Sequence, residues 1–190
     1  TPKPSSAASD VYKRQGDEPG EVYEEAIYEG YGPGGVAIML ETLSDNKNRT
    51  VSEVRHLFTK HGGNLAEKGA VAYLFAQKGL LEVLAEGNTE DDLMLAVMDA
   101  GAEDIQDLDG AFEVLCPVEQ FHAVKQALDD NGIAVTQASL AWVPQNLMAV
   151  EGHQADKIVR LLEGLEDLDD VQKVYSNFDV QEEELEKLLA

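Results

Sequence analysis

The chain has 190 residues, 44% of them apolar and 27% charged, values of a globular protein rather than a disordered one. Its 37 acidic side chains against 14 basic ones give a formal net charge of −23, which excludes a generic electrostatic grip on a phosphate backbone. No apolar run approaches the ~20 residues that span a bilayer, and no apolar stretch has the form of a signal peptide.

Residues 1–20 differ from the rest. Thr1 to Asp10 is rich in Pro, Ser and Ala, Lys13 and Arg14 come next without periodicity, and Gly16, Pro19 and Gly20 break the chain again. This stretch reads as a disordered leader, foreign in character to the remainder of the chain. Without residues 1–15 the remainder holds 11 basic and 36 acidic side chains, a net of −25. Ala26 to Tyr31 and Val36 to Leu40 are apolar runs separated by Gly32, Pro33, Gly34 and Gly35, a pattern that predicts two strands joined by a tight structural turn. A polar loop spans Ser44 to Arg49. Thr50-Val51-Ser52-Glu53 then has the form of a capping box, with Thr50 as the cap. Val51, Val54, Leu57 and Phe58 form the stripe of the helix behind that cap, and His61-Gly62-Gly63 closes it through a left-handed residue. Val71 to Phe75 predicts the next strand.

An internal repeat begins beyond Gly79. Leu81-Glu82-Val83-Leu84 recurs as Phe112-Glu113-Val114-Leu115, an offset of 31 residues. Leu93, Ala96 and Val97 map with the same offset onto Val124, Ala127 and Leu128, and Gly101 maps onto Gly132. Each unit reads as strand, helix, strand, with Asp104 to Leu108 and Thr136 to Trp142 as the second strands. Two such units form a split βαβ, ferredoxin-like arrangement. Further on, Ile158, Leu161, Leu162, Leu165 and Leu168 mark one more helix, Val171 to Phe178 alternates as a strand, and Glu182 to Leu189 reads as a short acidic helix. A lone helix and strand cannot bury a core, so they are expected to return to the sheet built by the first strands. The predicted class is therefore α+β. A discontinuous α/β domain covers 21–78 plus 148–190, and a ferredoxin-like domain, 79–147, is inserted in it.

No catalytic set is visible, and the expectation is a non-enzyme without metal or cofactor. The glycine-rich turn lacks the Gly-Lys-Ser/Thr ending of a phosphate loop, and no helix opens after it. His56 and His61 lie on different faces of one helix, and neither they nor His122 and His153 have metal-ligand spacing. The single Cys116 cannot form an internal disulfide and reads as a core residue in a reducing compartment, the cytosol or an equivalent space. Met94 and Met98, four apart on a helix, are expected in the core. The acidic runs Glu90 to Asp92, Asp167 to Asp170 and Glu182 to Glu184 are assigned to helix starts and solvated faces. One stretch departs from the acidic background. Residues 43–62 carry Lys47, Arg49, Arg55 and Lys60 against Asp45 and Glu53, whereas residues 16–42 contain no basic side chain. Lys47, Asn48, Arg49, Thr50, Arg55 and Lys60 are thus the candidate contacts to phosphate, at a helix start whose amide groups favour anions. A polar loop that only caps and turns is the alternative reading.

The run Ile27 to Ile38, with Tyr28-Glu29-Gly30-Tyr31-Gly32-Pro33-Gly34-Gly35 at its centre, resembles the YebC/PmpR family of gene-expression regulators. So do Ser44 to Thr50 with Glu53-Val54-Arg55-His56, Gly62-Gly63-Asn64-Leu65, Val71 to Phe75, and Ala100 to Asp104. The family includes the mitochondrial translational activator of cytochrome c oxidase subunit I. The resemblance implies two α/β domains, one inserted in the other, behind a basic helical domain whose counterpart is not seen in residues 1–15. It further implies a regulator that works on DNA, or on the ribosome and its RNA, with weak or no nucleic-acid binding by these two acidic domains alone. A small-molecule-sensing regulatory domain is the alternative function, because ferredoxin-like units also build ligand sensors.

Overall fold

The computed structural model describes residues 22–179, so the leader and the acidic tail helix expected from the sequence lie outside the described residues. Its elements run β1 (Glu24–Tyr31), β2 (Ala37–Ser44), α1 (Lys47–Lys60), β3 (Asn64–Ala66), β4 (Phe75–Leu84), α2 (Glu90–Val97) and β5 (Asp104–Asp107). Next come β6 (Ala111–Pro117), α3 (Phe121–Asp130), β7 (Val135–Pro144), β8 (Met148–Ala149), α4 (Gly152–Glu166), β9 (Val171–Ser176) and β10 (Phe178–Asp179). The chain divides into two compact units, one holding the described residues up to Leu74 and from Pro144 onward, the other Phe75–Val143. The division falls four residues earlier at each end than the sequence pattern suggested, because β4 is one continuous strand from Phe75.

The first unit is a four-stranded antiparallel sheet in the order β3-β1-β2-β9. Gly32 to Val36 connect β1 to β2 through a single 3-10 turn over Pro33–Gly35, in which Gly34 and Gly35 take φ of +77° and +83°. Only glycine takes that conformation without strain. One face of the sheet is covered by α1 and α4, and Val36, Ile38, Leu40, Val54, Phe58, Ile158, Leu161 and Leu165 form its core. The last helix thus packs where the sequence pattern required it, with Ala155, Ile158, Leu161 and Leu165 buried and the last three in this core.

Two details depart from the sequence reading. Of Val71 to Phe75 only Phe75 lies in a strand, as the first residue of β4: Val71 is fully buried in a bend, and Ala72–Leu74 form a 3-10 turn. The cause is Glu29, 3% exposed, whose carboxylate accepts the backbone N–H groups of Gly69, Val71 and Ala72 at 2.5, 3.0 and 2.7 Å. A carboxylate has taken the donors that a strand would have given to a neighbour. The short strands β3 and β8 also went unforeseen, being three and two residues long.

The second unit orders its strands β5-β6-β4-β7, the ferredoxin-like order of two βαβ halves. Its core joins Leu81 and Val83 to Phe112 and Val114, and Leu93 and Val97 to Val124 and Leu128. These are the residue pairs of the 31-residue repeat, so the repeat marks equivalent packing positions. Cys116 is buried in this core, but Met98 is not: it comes after the last turn of α2 and is 59% exposed.

Candidate functional site

Two side chains set the start of α1, and the expected Thr50 capping box is not among its devices. Asn46 is the cap, accepting the Arg49 N–H at 3.1 Å, and the Ser44 hydroxyl oxygen accepts the Asn46 N–H at 3.0 Å. The helix therefore begins one turn earlier than the sequence indicated, and Lys47, Asn48 and Arg49 belong to its first turn rather than to a loop. Asn and Thr are both good caps, so local preference alone does not separate Asn46 from Thr50. Burial separates them. Thr50 is 1% exposed and faces the interior, so it cannot touch a partner.

Asp170, assigned from its acidic run to a solvated face, is in fact 8% exposed and lies behind this helix start. Its Oδ2 accepts from the Thr50 hydroxyl at 2.7 Å and the Ser44 hydroxyl at 3.0 Å, and the two hydroxyl oxygens stand 2.7 Å apart. The carboxylate also accepts from the Arg49 guanidinium at 3.1 Å, while Asp45 takes the same nitrogen at 2.9 Å. Burial alone would raise the pKa of Asp170. Hydrogen bonds from Thr50, Arg49 and Ser44, with the Arg49 charge, outweigh it and hold the carboxyl below the ordinary aspartate range.

The candidate contacts therefore separate into two groups. Arg49 is spent on two carboxylates, and Lys47 on Glu24 at 2.8 Å; each partner raises the pKa of its cation. Arg55 and Lys60 are exposed and enter no ion pair among the described residues. Helical spacing aligns Asn48, Ser52, Arg55 and Thr59 along the solvent side of α1, with His56 and Lys60 beside them. His61, at the end of the helix, reads the local field. Its pKa is lowered by burial first, and then by the positive charges of Lys60 and Arg160. Arg160, on α4, is 100 residues from Lys60 in sequence, and no pattern in the sequence pointed to it. It pairs with Asp156 at 3.3 Å while remaining mostly exposed. Among the described residues no group of three or more His, Cys, Asp or Glu side chains is placed to hold a metal ion, and no helix is long and apolar enough to cross a membrane.

Residues 23–178 match the family described as TACO1/YebC second and third domain. The chain belongs to this family. A relative in Dictyoglomus turgidum, named "Probable transcriptional regulatory protein", is 49% identical over 94% of this chain and 72% of its own length. A relative of the same name in Solibacter usitatus is 48% identical over 94% of this chain and 72% of its own. The crystal structure of a conserved hypothetical protein from Aquifex aeolicus superposes with a TM-score of 0.80 at 44% identity, covering 88% of this chain and 69% of that one. Within this TACO1/YebC chain the cations are unevenly divided. Of the ten Lys and Arg among the described residues, eight lie in the first unit and only Lys78 and Lys125 in the second.

Proposed function

We propose that the chain is a regulator of gene expression in the cytosol that meets nucleic acid, either DNA or the RNA of the ribosome, through the solvent face of α1. Arg55 and Lys60 are the phosphate contacts, Asn48 supplies a neutral hydrogen-bonding group in line with them, and Arg160 extends the positive edge from α4. Arg49 and Lys47 hold the helix start together rather than touch the partner. The observation that carries this reading is the pair of exposed cations Arg55 and Lys60, which enter no ion pair among the described residues, in a chain of net charge −23. Phosphate contacts position a protein without reading sequence, and a few exposed cations suffice for that task. The acidity of the remainder keeps such binding weak, and so few contacts give it a shallow salt slope.

The test is cosedimentation with ribosomes and a shift assay with duplex DNA, in matched low salt, for the wild-type chain and for Arg55→Glu with Lys60→Glu. The double variant is expected to weaken binding to the true target and to flatten its salt slope by roughly 0.9 unit per lost contact on duplex DNA and ~0.7 on single strands. Arg49→Glu would be the wrong probe, since it sets a third carboxylate beside Asp45 and Asp170 and would damage the fold itself. Unchanged binding by a correctly folded double variant would remove α1 from the interface.

A further inference from the structure

The sheet of the second unit has one face that its helices do not cover. Along β4, Leu81 and Val83 point into the core and are fully buried, while Leu80 and Glu82 are half-buried and Leu84 is 53% exposed. Along β6, Phe112, Val114 and Cys116 point inward, and Ala111, Glu113 and Leu115 lie on the other side, each half-buried. The register sets Leu80 opposite Leu115, Glu82 opposite Glu113 and Leu84 opposite Ala111. On the next strand Gln106 faces Glu113, and Asp104 faces Leu115. The open face therefore carries the pair Leu80 and Leu115 with Asp104 at its edge, then Glu82 and Glu113 with Gln106, then Leu84 and Ala111, in the order of the pleat.

One feature of this face works against the stability of the unit. Glu82 and Glu113 are like charges directly across a strand pair, a destabilising arrangement. Glu113 is pushed above the ordinary glutamate range by burial, and then by the charge of Glu82. The Thr136 hydroxyl, 3.2 Å from the Glu82 carboxylate, orients that group without neutralising it. The surroundings offer little relief. The second unit holds 14 acidic side chains against two lysines, and Lys78 is already bound to Glu103 at 2.9 Å.

We propose that this face docks a cationic amphipathic segment of a partner protein, with Lys or Arg side chains on Glu82 and Glu113 and aliphatic side chains covering Leu80, Leu84 and Leu115. Charge complementarity selects that occupant. A polyanion, whether nucleic acid or an anionic membrane surface, is repelled by the same field that attracts a basic segment. A guanidinium or ammonium between the two carboxylates would remove their mutual repulsion, and half-buried leucines on either side supply apolar area that a purely ionic contact would not use. The chain then has two working surfaces of opposite sign, the end of α1 in the first unit for phosphate and this sheet face in the second unit for a basic protein.

The experiment uses the whole chain, labelled with 15N, titrated with a short synthetic Lys/Leu amphipathic peptide and, as a control, its Glu/Leu counterpart. Amide shifts on addition of the Lys/Leu peptide are expected at Leu80, Glu82, Leu84, Glu113 and Leu115, with none for the Glu/Leu peptide. Glu82→Gln with Glu113→Gln is expected to weaken the peptide about tenfold and to lower its salt dependence. Leu84→Lys, at an exposed position that leaves the core untouched, is expected to weaken it as well and serves if the double variant does not fold. Arg55→Glu with Lys60→Glu should leave peptide binding unaltered. Shifts on α2, α3 or the first unit, or full affinity in the folded Glu82/Glu113 and Leu84 variants, would overturn the proposal.

Discussion

Replacing Asp170 with Ala tests the packing behind α1 most directly. The side chain is 8% exposed and accepts hydrogen bonds from the Thr50 and Ser44 hydroxyls, both of them buried, at 2.7 and 3.0 Å. Two hydrogen bonds to a charged acceptor are each worth about 1.5 kcal/mol net, so the loss is about 3 kcal/mol. The half-exposed Arg49 retains Asp45 and adds little. For a unit of this size 3 kcal/mol corresponds to roughly 15 °C in its thermal midpoint. Urea unfolding followed by circular dichroism gives the free energy, and hydrogen exchange at the Leu43 amide, bonded to the Asp170 carbonyl at 2.8 Å, locates it. Asp170→Asn keeps one acceptor oxygen and should lose about half as much. The pH dependence is set by the lowered pKa. The contribution of Asp170 is whole above the ordinary aspartate value of ~3.9 and is lost as pH falls from there through the lower folded-state value. A stability within about 0.5 kcal/mol of wild type, a change expected at an ordinary surface site, would refute the claim that this carboxylate organises the helix start.

Three further outcomes are expected. Glu29→Gln should destabilise the first unit by about 1–3 kcal/mol and speed hydrogen exchange at Gly69, Val71 and Ala72, because one amide oxygen cannot serve the three donors that the carboxylate serves; unaltered exchange would show that Glu29 does not hold this loop. Gly63→Ala would place a Cβ 2.5 Å from the Tyr31 carbonyl oxygen and 3.2 Å from Gly32 Cα, both backbone atoms, so a loss of about 1–3 kcal/mol is expected in urea. Glu113→Gln should stabilise the second unit by about 0.2–1 kcal/mol at neutral pH, where the wild-type chain carries the repulsion from Glu82. Because the folded pKa of Glu113 is raised, the wild type loses stability as pH rises through that value, and the gain should vanish near the ordinary glutamate pKa of ~4.3.

The sequence alone determined most of the second unit. A fold made of two similar halves must repeat its core positions, so the match of Leu81, Val83, Leu93 and Val97 to Phe112, Val114, Val124 and Leu128 was already the core that the structure shows. It also determined that α4 needs the first sheet, because the Ile158, Leu161 and Leu165 stripe must be buried and its own segment offers nothing to bury it against. Both inferences rest on apolar periodicity, which is written locally. The polar decisions were not. Thr50 and Asn46 compete as caps on equal local terms, and the contest is settled by Asp170, 120 residues away from Thr50. Val71 to Phe75 reads as a strand until Glu29, 42 residues before Val71, accepts a hydrogen bond from the Val71 N–H. Arg160 reinforces Lys60 only because α1 and α4 lie side by side on one sheet. A hydrogen bond or a charge acts over a few ångströms whatever the chain distance, so its partner can be any residue of suitable chemistry, and only the tertiary structure says which one arrives.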